Sequence, residues 1–398
     1  MDELLPIVAF SLLLGTIIAL LFFNTYYRKR QSEVRSIANV NPNPNPNPIT
    51  SSSKPLPNKK SNPKHHSSDK DQSKRHHPLD LNTLKGHGDV VTGLSFSPDG
   101  RNLATACADG VVRVFKLEDA SSKSFKFHRI NLPPGGHPTA VTFSDDASSI
   151  VVSSHSLTGC SLYMYAEEKP KASEDKPQTK LPLPEIKWEH HKVHDKKAII
   201  TIADGSALIA SCSEGTDIIL WHGKTGKSLG HVDTNQLKNN MATISPNGRF
   251  IAAAAFTADV KSAVTWLCFS PNSEQIITAS KDGSLRIWNI NVRYHMDEDP
   301  KTLKVFPIPL RDSTGTTLHY DRLSISPDGK FLAATHGSTL QWLSVETGKV
   351  LDTAEKAHDG DITGISWGPK TIPIGKEQVL VLATASVDKK VKLWAAPS

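Results

Sequence analysis

The feature that most constrains this chain is a repeated unit too small to fold alone. Its clearest copy lies at residues 263–291. Val264–Phe269 is rich in β-branched and aromatic residues, the turn Ser270-Pro271-Asn272-Ser273 follows, and Gln275–Ser280 predicts a second strand. Pro presets φ for such a turn, and Asn and Ser side chains bond their own backbone. Lys281-Asp282-Gly283 then predicts a tight hairpin into a third strand, Ser284–Asn289, which carries Trp288. Three short strands cannot bury their own apolar faces, so the unit must stack on copies of itself.

The copies are present. Residues 91–115 match almost strand for strand, and 362–394 match with a longer first turn. Residues 325–342 and 244–256 carry the turn and second strand, while 141–156 and 200–221 are degenerate members. Two units open with a small residue and a histidine, Gly86-His87 and Ala357-His358. Over residues 80–397 this resembles WD40 repeats, which implies an all-β fold, a seven-bladed β-propeller. The repeat specifies a fold and leaves the function open. The last unit ends at Trp394 with three strands of its own, and in WD40 propellers an N-terminal strand completes the last blade. Leu81–Lys85 is the candidate, and closure would remove the open sheet edges.

The repeat spacing exposes a defect. The first turns fall at Ser97, Ser144, Ala203, Ser245, Ser270, Ser326 and Gly368, at intervals of 47, 59, 42, 25, 56 and 42. An interval of 25 cannot hold four strands. Residues 257–260 should open a third strand but run directly into the next repeat, so about 15–30 residues are missing relative to a regular unit. The fourth blade is therefore expected to be truncated, the mark of a splice variant or a gene-model truncation, with a natively primitive or strained fourth blade as the alternative. Residues 169–185, charged and Pro-rich, interrupt the second and third repeats as a surface loop.

Ahead of the repeats stand two segments of different character. Leu4–Phe23 is twenty residues without a charge, enough to cross a hydrocarbon core of about 30 Å. Asp2 and Glu3 precede it, and Arg28, Lys29, Arg30 and Arg35 follow it. That asymmetry predicts a retained anchor over residues 1–30, with the remainder in the cytosol. Residues 31–78 hold an Asn-Pro run and few aliphatic residues, and are expected to be a disordered linker before a propeller at 79–398. Residues 24–85 carry 12 Lys and Arg against 4 Asp and Glu, so the basic character of the chain sits there. Lys54, Lys59, Lys60, Lys64, Lys70, Lys74 and Arg75 could touch anionic lipid or RNA, but no aromatic residue is interleaved to stack a base. The pairs His65-His66 and His76-His77 read as solvated residues of this tether rather than metal ligands.

No catalytic motif emerges: there is no phosphate-binding loop, nucleophile elbow, zincin helix or dinucleotide fingerprint. His, Thr and Asp do recur, but at positions the repeat assigns. WD40 blades share a buried chain from His through Ser/Thr and Asp to Trp. By spacing, the last repeat has all of it in His358, Thr384, Asp388 and Trp394. The first has His87, Thr105 and Asp109, with Phe115 in place of Trp. The fifth has Thr278, Asp282 and Trp288 without a His, which predicts that Thr278 and Asp282 lack a partner. No cofactor or metal is implied. Cys107, Cys160, Cys212 and Cys268 form no CxxC pair and suit a reducing compartment.

An N-terminal anchor, a basic tether and seven repeats, with the distinctive stretch 263–299, together resemble the transducin β-like protein 2 family. The resemblance implies an endoplasmic-reticulum membrane protein whose cytosolic propeller is a non-enzymatic platform for protein partners, linked in animal members to unfolded-protein signalling. The alternatives are a small-GTPase exchange regulator, whose known propellers carry the anchor after the ring, and an RNA tether acting through the linker.

Overall fold

A computed structural model describes residues 77–166, 184–202, 208–234, 238–256 and 263–397. The expected anchor, the seven basic linker residues, residues 167–183 of the insertion and the junction 257–262 lie outside the described residues. No helix among the described residues is long and apolar enough to cross a membrane.

Among the described residues the fold is all-β apart from one short 3-10 turn, Tyr294–Met296. Six four-stranded antiparallel sheets form blades: blade 1 (91–131), blade 2 (137–194), blade 3 (198–233), blade 5 (264–307), blade 6 (322–354) and blade 7 (362–395). In blades 1 to 3, 5 and 6 the strands pair in chain order. Blade 7 takes its outermost strand from the N-terminal side: Asp80–Leu84 pairs antiparallel with Val391–Ala395, with Leu84 opposite Val391. Leu84 is buried in the core shared by blades 7 and 1. The closing strand thus starts one residue before the stretch proposed from the sequence.

Between blades 3 and 5 stands a sheet of two strands, Lys238–Ile244 and Ile251–Phe256. This is blade 4, and among the described residues it has these two strands alone, in keeping with the 25-residue interval. Inner strands touch in ring order from blade 1 through blade 4 to blade 7 and back to blade 1. The half blade keeps the ring continuous because its inner strand is intact. Ala242 and Ile244 pack on Ala210, Cys212 and Ile218 of blade 3, and Met241 and Ala254 pack on Leu267 of blade 5.

The Ser-Pro-Asp/Asn turns explain their own recurrence. In these four turns, and in the Ser-Asp-Asp turn at Ser144, the Ser hydroxyl donates to the Asp or Asn two residues on and accepts the backbone N–H five residues on. Ser97 to Asp99 is 2.5 Å, and the Asn102 N–H reaches Ser97 at 2.9 Å. The pattern repeats at Ser144 with Ser149, Ser245 with Phe250, Ser270 with Gln275 and Ser326 with Phe331. Each turn satisfies backbone groups that would otherwise be orphaned at a buried strand end. In blade 7 the longer first turn holds a small hairpin, Ile372–Ile374 with Glu377–Val379, and Ile372 is buried against blade 1.

The strand order leaves the loops before the inner strands and the turns between second and third strands on one face, because neighbouring strands run antiparallel. That face carries His87, His358 and the turns at Asp109 and Asp388.

Candidate interaction face and blade networks

In blade 7 the whole chain of polar bonds forms. His358 Nε2 bonds Thr384 Oγ1 at 2.8 Å, His358 Nδ1 bonds Asp388 at 3.0 Å, and the Trp394 indole N–H donates to Thr384 at 2.8 Å. The His358 side chain is fully buried. Burial works to raise the Asp388 carboxyl, but the His358 bond and charge and the N–H groups of Asp359 and Lys390 outweigh it and hold it at about 2.

Blade 1 differs at two points. Phe115 supplies no N–H, as its identity requires, and Thr105 bonds His87 at 2.9 Å. Asp109 does not reach His87, because Arg113 takes its carboxylate in a two-pronged pair, with contacts of 3.1 and 2.6 Å. His87 Nδ1 is left buried without a partner. Burial, and then the Arg113 charge, pushes the His87 imidazole down to about 4, so it is neutral at pH 7. Burial opposes ionisation of Asp109, but Arg113 and the Gly88 N–H prevail and hold its carboxyl well below the usual range.

Blade 5 corrects one expectation. Thr278 and Asp282 do not lack partners: the Trp288 N–H donates to Thr278 at 3.0 Å, and Arg286 and Ser284 donate to Asp282 at 2.7 and 2.6 Å. An Arg four residues after the Asp substitutes for the missing His, as Arg113 does beside Asp109. Blade 3, a degenerate repeat by sequence, holds a further chain. His194 bonds Ser211 at 2.9 Å and the Trp221 N–H donates to the same hydroxyl at 2.9 Å. The signal was the Trp ten residues after the hydroxyl, shared by Thr278–Trp288 and Thr384–Trp394; Val193 in place of Gly or Ala concealed it.

A second set of bonds, invisible in the repeat pattern, ties blade to blade. In every blade but the third, a side chain near the start of the inner strand donates to a carbonyl of the next blade's inner edge: Thr92 to Pro138 at 2.7 Å, Thr139 to Ala198 at 2.9 Å, Asn240 to Val264 at 3.0 Å, Thr265 to Tyr320 at 2.6 Å, and Arg322 to Ile362 at 2.8 Å. Thr363 closes the ring onto Val91. Blade 3 has Ile199 at this position, which cannot donate, so the weak link borders the half blade.

His77 corrects another expectation. It is no solvated tether residue: its ring stacks on Trp342 at 5.8 Å and its Nε2 lies 3.4 Å from Asp352. The four cysteines lie on strands of different blades as free thiols. Burial pushes Cys160 and Cys212 up to about 11, which removes thiolate chemistry near neutral pH.

What remains open on this face is exposed apolar and polar loop surface. Leu157 at the tip of a blade 2 turn and Val387 in the corresponding turn of blade 7 are exposed. Lys389 reaches the Gly88 carbonyl of blade 1 at 3.0 Å, and Lys390 pairs with Asp359 at 2.7 Å.

The repeat profile described as "WD domain, G-beta repeat" matches residues 80–116, 254–289 and 348–395. The first and third matches begin at the outermost strand of the preceding blade, Asp80–Leu84 and Val350–Ala354. The second begins inside Ile251–Phe256, so the second strand of blade 4 stands where a fourth strand should be. The chain is a WD40-repeat protein. Within the WD40 proteins it is similar to human transducin beta-like protein 2, 28% identical over 317 residues that cover 73% of this chain and 68% of that one. The mouse protein of the same name matches equally. Protein hir1 of Schizosaccharomyces pombe is 20% identical over 341 residues, 78% of this chain and 32% of its own length. WD40 propellers commonly bind other proteins.

Proposed function

We propose that this chain is a membrane-tethered, non-enzymatic WD40 scaffold that presents its loop face to protein partners in the cytosol at the endoplasmic reticulum, in unfolded-protein stress signalling. One observation carries the non-enzymatic part. The recurrent His, Ser/Thr and Asp side chains are buried and committed to one another or to Arg and Trp within blades, so they are not presented to a substrate. A hydrolase would need such groups to converge on a cleft with an accessible nucleophile. The uncharged stretch Leu4–Phe23, with its basic flank, supports the tether and its orientation.

Protease treatment of intact microsomes tests the topology: the propeller should be digested, and full protection would refute a cytosolic ring. Proximity labelling from the propeller, with and without residues 1–30, tests the scaffold. Partners should be shared by both forms but enriched for reticulum proteins only with the anchor. An identical, non-specific set from both would contradict tethering.

A further inference from the structure

On the same face, blade 6 gathers two histidines and a carboxylate that no repeat position requires. His319 and Asp321 come from the loop entering its inner strand, and His336 from the end of its second strand, Phe331–His336. One ligand atom from each lies within 4.8 Å of the others. His319 Nε2 is 3.4 Å from Asp321 Oδ1, and His336 Nδ1 is 3.5 Å from Asp321 Oδ2. The two imidazole rings stand edge to face at 5.5 Å.

These separations are too long for charge-assisted hydrogen bonds, which run about 2.7–2.9 Å. Each is close to the edge of a tetrahedral shell, about 3.3 Å for bonds of about 2.0–2.1 Å to zinc, with the two contacts ending on different oxygens of Asp321, of which one would serve as the ligand. His336 Nδ1 is buried and makes no hydrogen bond, a state that costs free energy unless something completes it. Imidazole and carboxylate donors together suit zinc rather than calcium or magnesium. We propose that His319, Asp321 and His336 bind a zinc ion, with a fourth position open to solvent or to a partner's side chain.

The scaffold around the three ligands is fixed without the ion. Tyr320, between two of them, is fully buried, and its hydroxyl donates to Gln341 at 2.6 Å. Its carbonyl accepts from Thr265, and the Asp321 N–H donates to the Thr335 carbonyl at 2.7 Å. The Gly337 N–H donates to Asp321 Oδ2 at 2.9 Å, and the Gly337 carbonyl accepts from Ile362 of blade 7 at 2.8 Å. Ligands held this way lose little freedom on binding. The nearby guanidinium of Arg322 opposes a cation, but the carboxylates of both Asp321 and Asp361 act on it and offset its charge. Its own attention is directed to the Ile362 carbonyl and the Trp266 ring.

The test uses the full chain with His65, His66 and His76 replaced by Ala, so that tether histidines do not contribute. After chelation, dialysis against micromolar zinc and metal analysis should give about one zinc per chain, falling to near zero in His319→Ala and in His336→Gln. Cobalt in place of zinc should give the intense visible absorption of a four-coordinate site, absent in both variants. In EDTA, His319→Ala should melt with the parent, and zinc should raise the melting temperature of the parent alone. A parent that takes up no zinc, or variants that keep its full complement and its cobalt spectrum, would overturn the proposal.

Discussion

At the scale of residues, stability depends on which buried polar groups are paired. His87 is held at about 4 in the fold, against an ordinary value of 6.5. A depressed value means stability present above the unfolded value and lost as pH falls through 6.5 toward 4. The loss is at most about 3 kcal/mol. Stability measured by urea unfolding should therefore drop between pH 7 and pH 4 in the natural chain and drop less in His87→Asn. Asp388, held at about 2 against 3.8, has the same sign in a lower window: its contribution survives to pH 4 and disappears below it. Trp394→Phe reproduces in blade 7 what Phe115 does in blade 1, removing the donor to Thr384. It should cost about 1–2 kcal/mol at pH 7, with the slope of the urea transition unchanged. A variant as stable as the natural chain would show that the indole bond contributes nothing.

At the scale of elements, the closing strand and the half blade make opposite predictions. Deleting residues 78–86 removes Asp80–Leu84, exposes the edge of Val391–Ala395 and uncovers the core around Leu84. It should lower the melting temperature by many degrees, whereas deleting residues 31–74 should leave it nearly unchanged. The second deletion stops short of His77, because that ring packs on Trp342. Inserting a complete third and fourth strand after residue 259 should raise both melting temperature and soluble fraction, since the open edge of Ile251–Phe256 would be covered. Inner and middle strands were legible in the sequence because they are buried on both faces and their turns repeat. Outer strands were not, for a physical reason: Ser228–Asp233 is exposed along its whole length, so it carries no apolar alternation to read. Glu185–His194 hides in the same way behind a charged insertion. Pairing geometry also escapes spacing. Arg113 and Arg286 intercept the Asp residues that the repeat reserves for His, and a motif search counts residues without seeing which partner is nearer. The His319, Asp321 and His336 group, drawn from a loop and a strand end, has no sequence signature.

At the scale of the whole molecule, the claim is a closed ring of seven members in which one is half built. Continuity through blade 4 rests on its inner strand, because inner strands are tied to their neighbours by side-chain bonds, with Ile199 as the exception, while Asp80–Leu84 completes blade 7. Blade 4 thus keeps the ring continuous with two strands among the described residues, where Ile251–Phe256 is paired on one side. Hydrogen exchange on the folded chain, read by mass spectrometry, tests this directly. Peptides covering Asp80–Leu84 and Val391–Ala395 should exchange slowly and together, as paired strands of one sheet. About half the amides of Ile251–Phe256 point away from their single partner strand and should exchange fast, while those of Gln275–Ser280, flanked on both sides, should not. Uniform slow exchange across Ile251–Phe256, or fast exchange at Asp80–Leu84, would contradict the half-built ring.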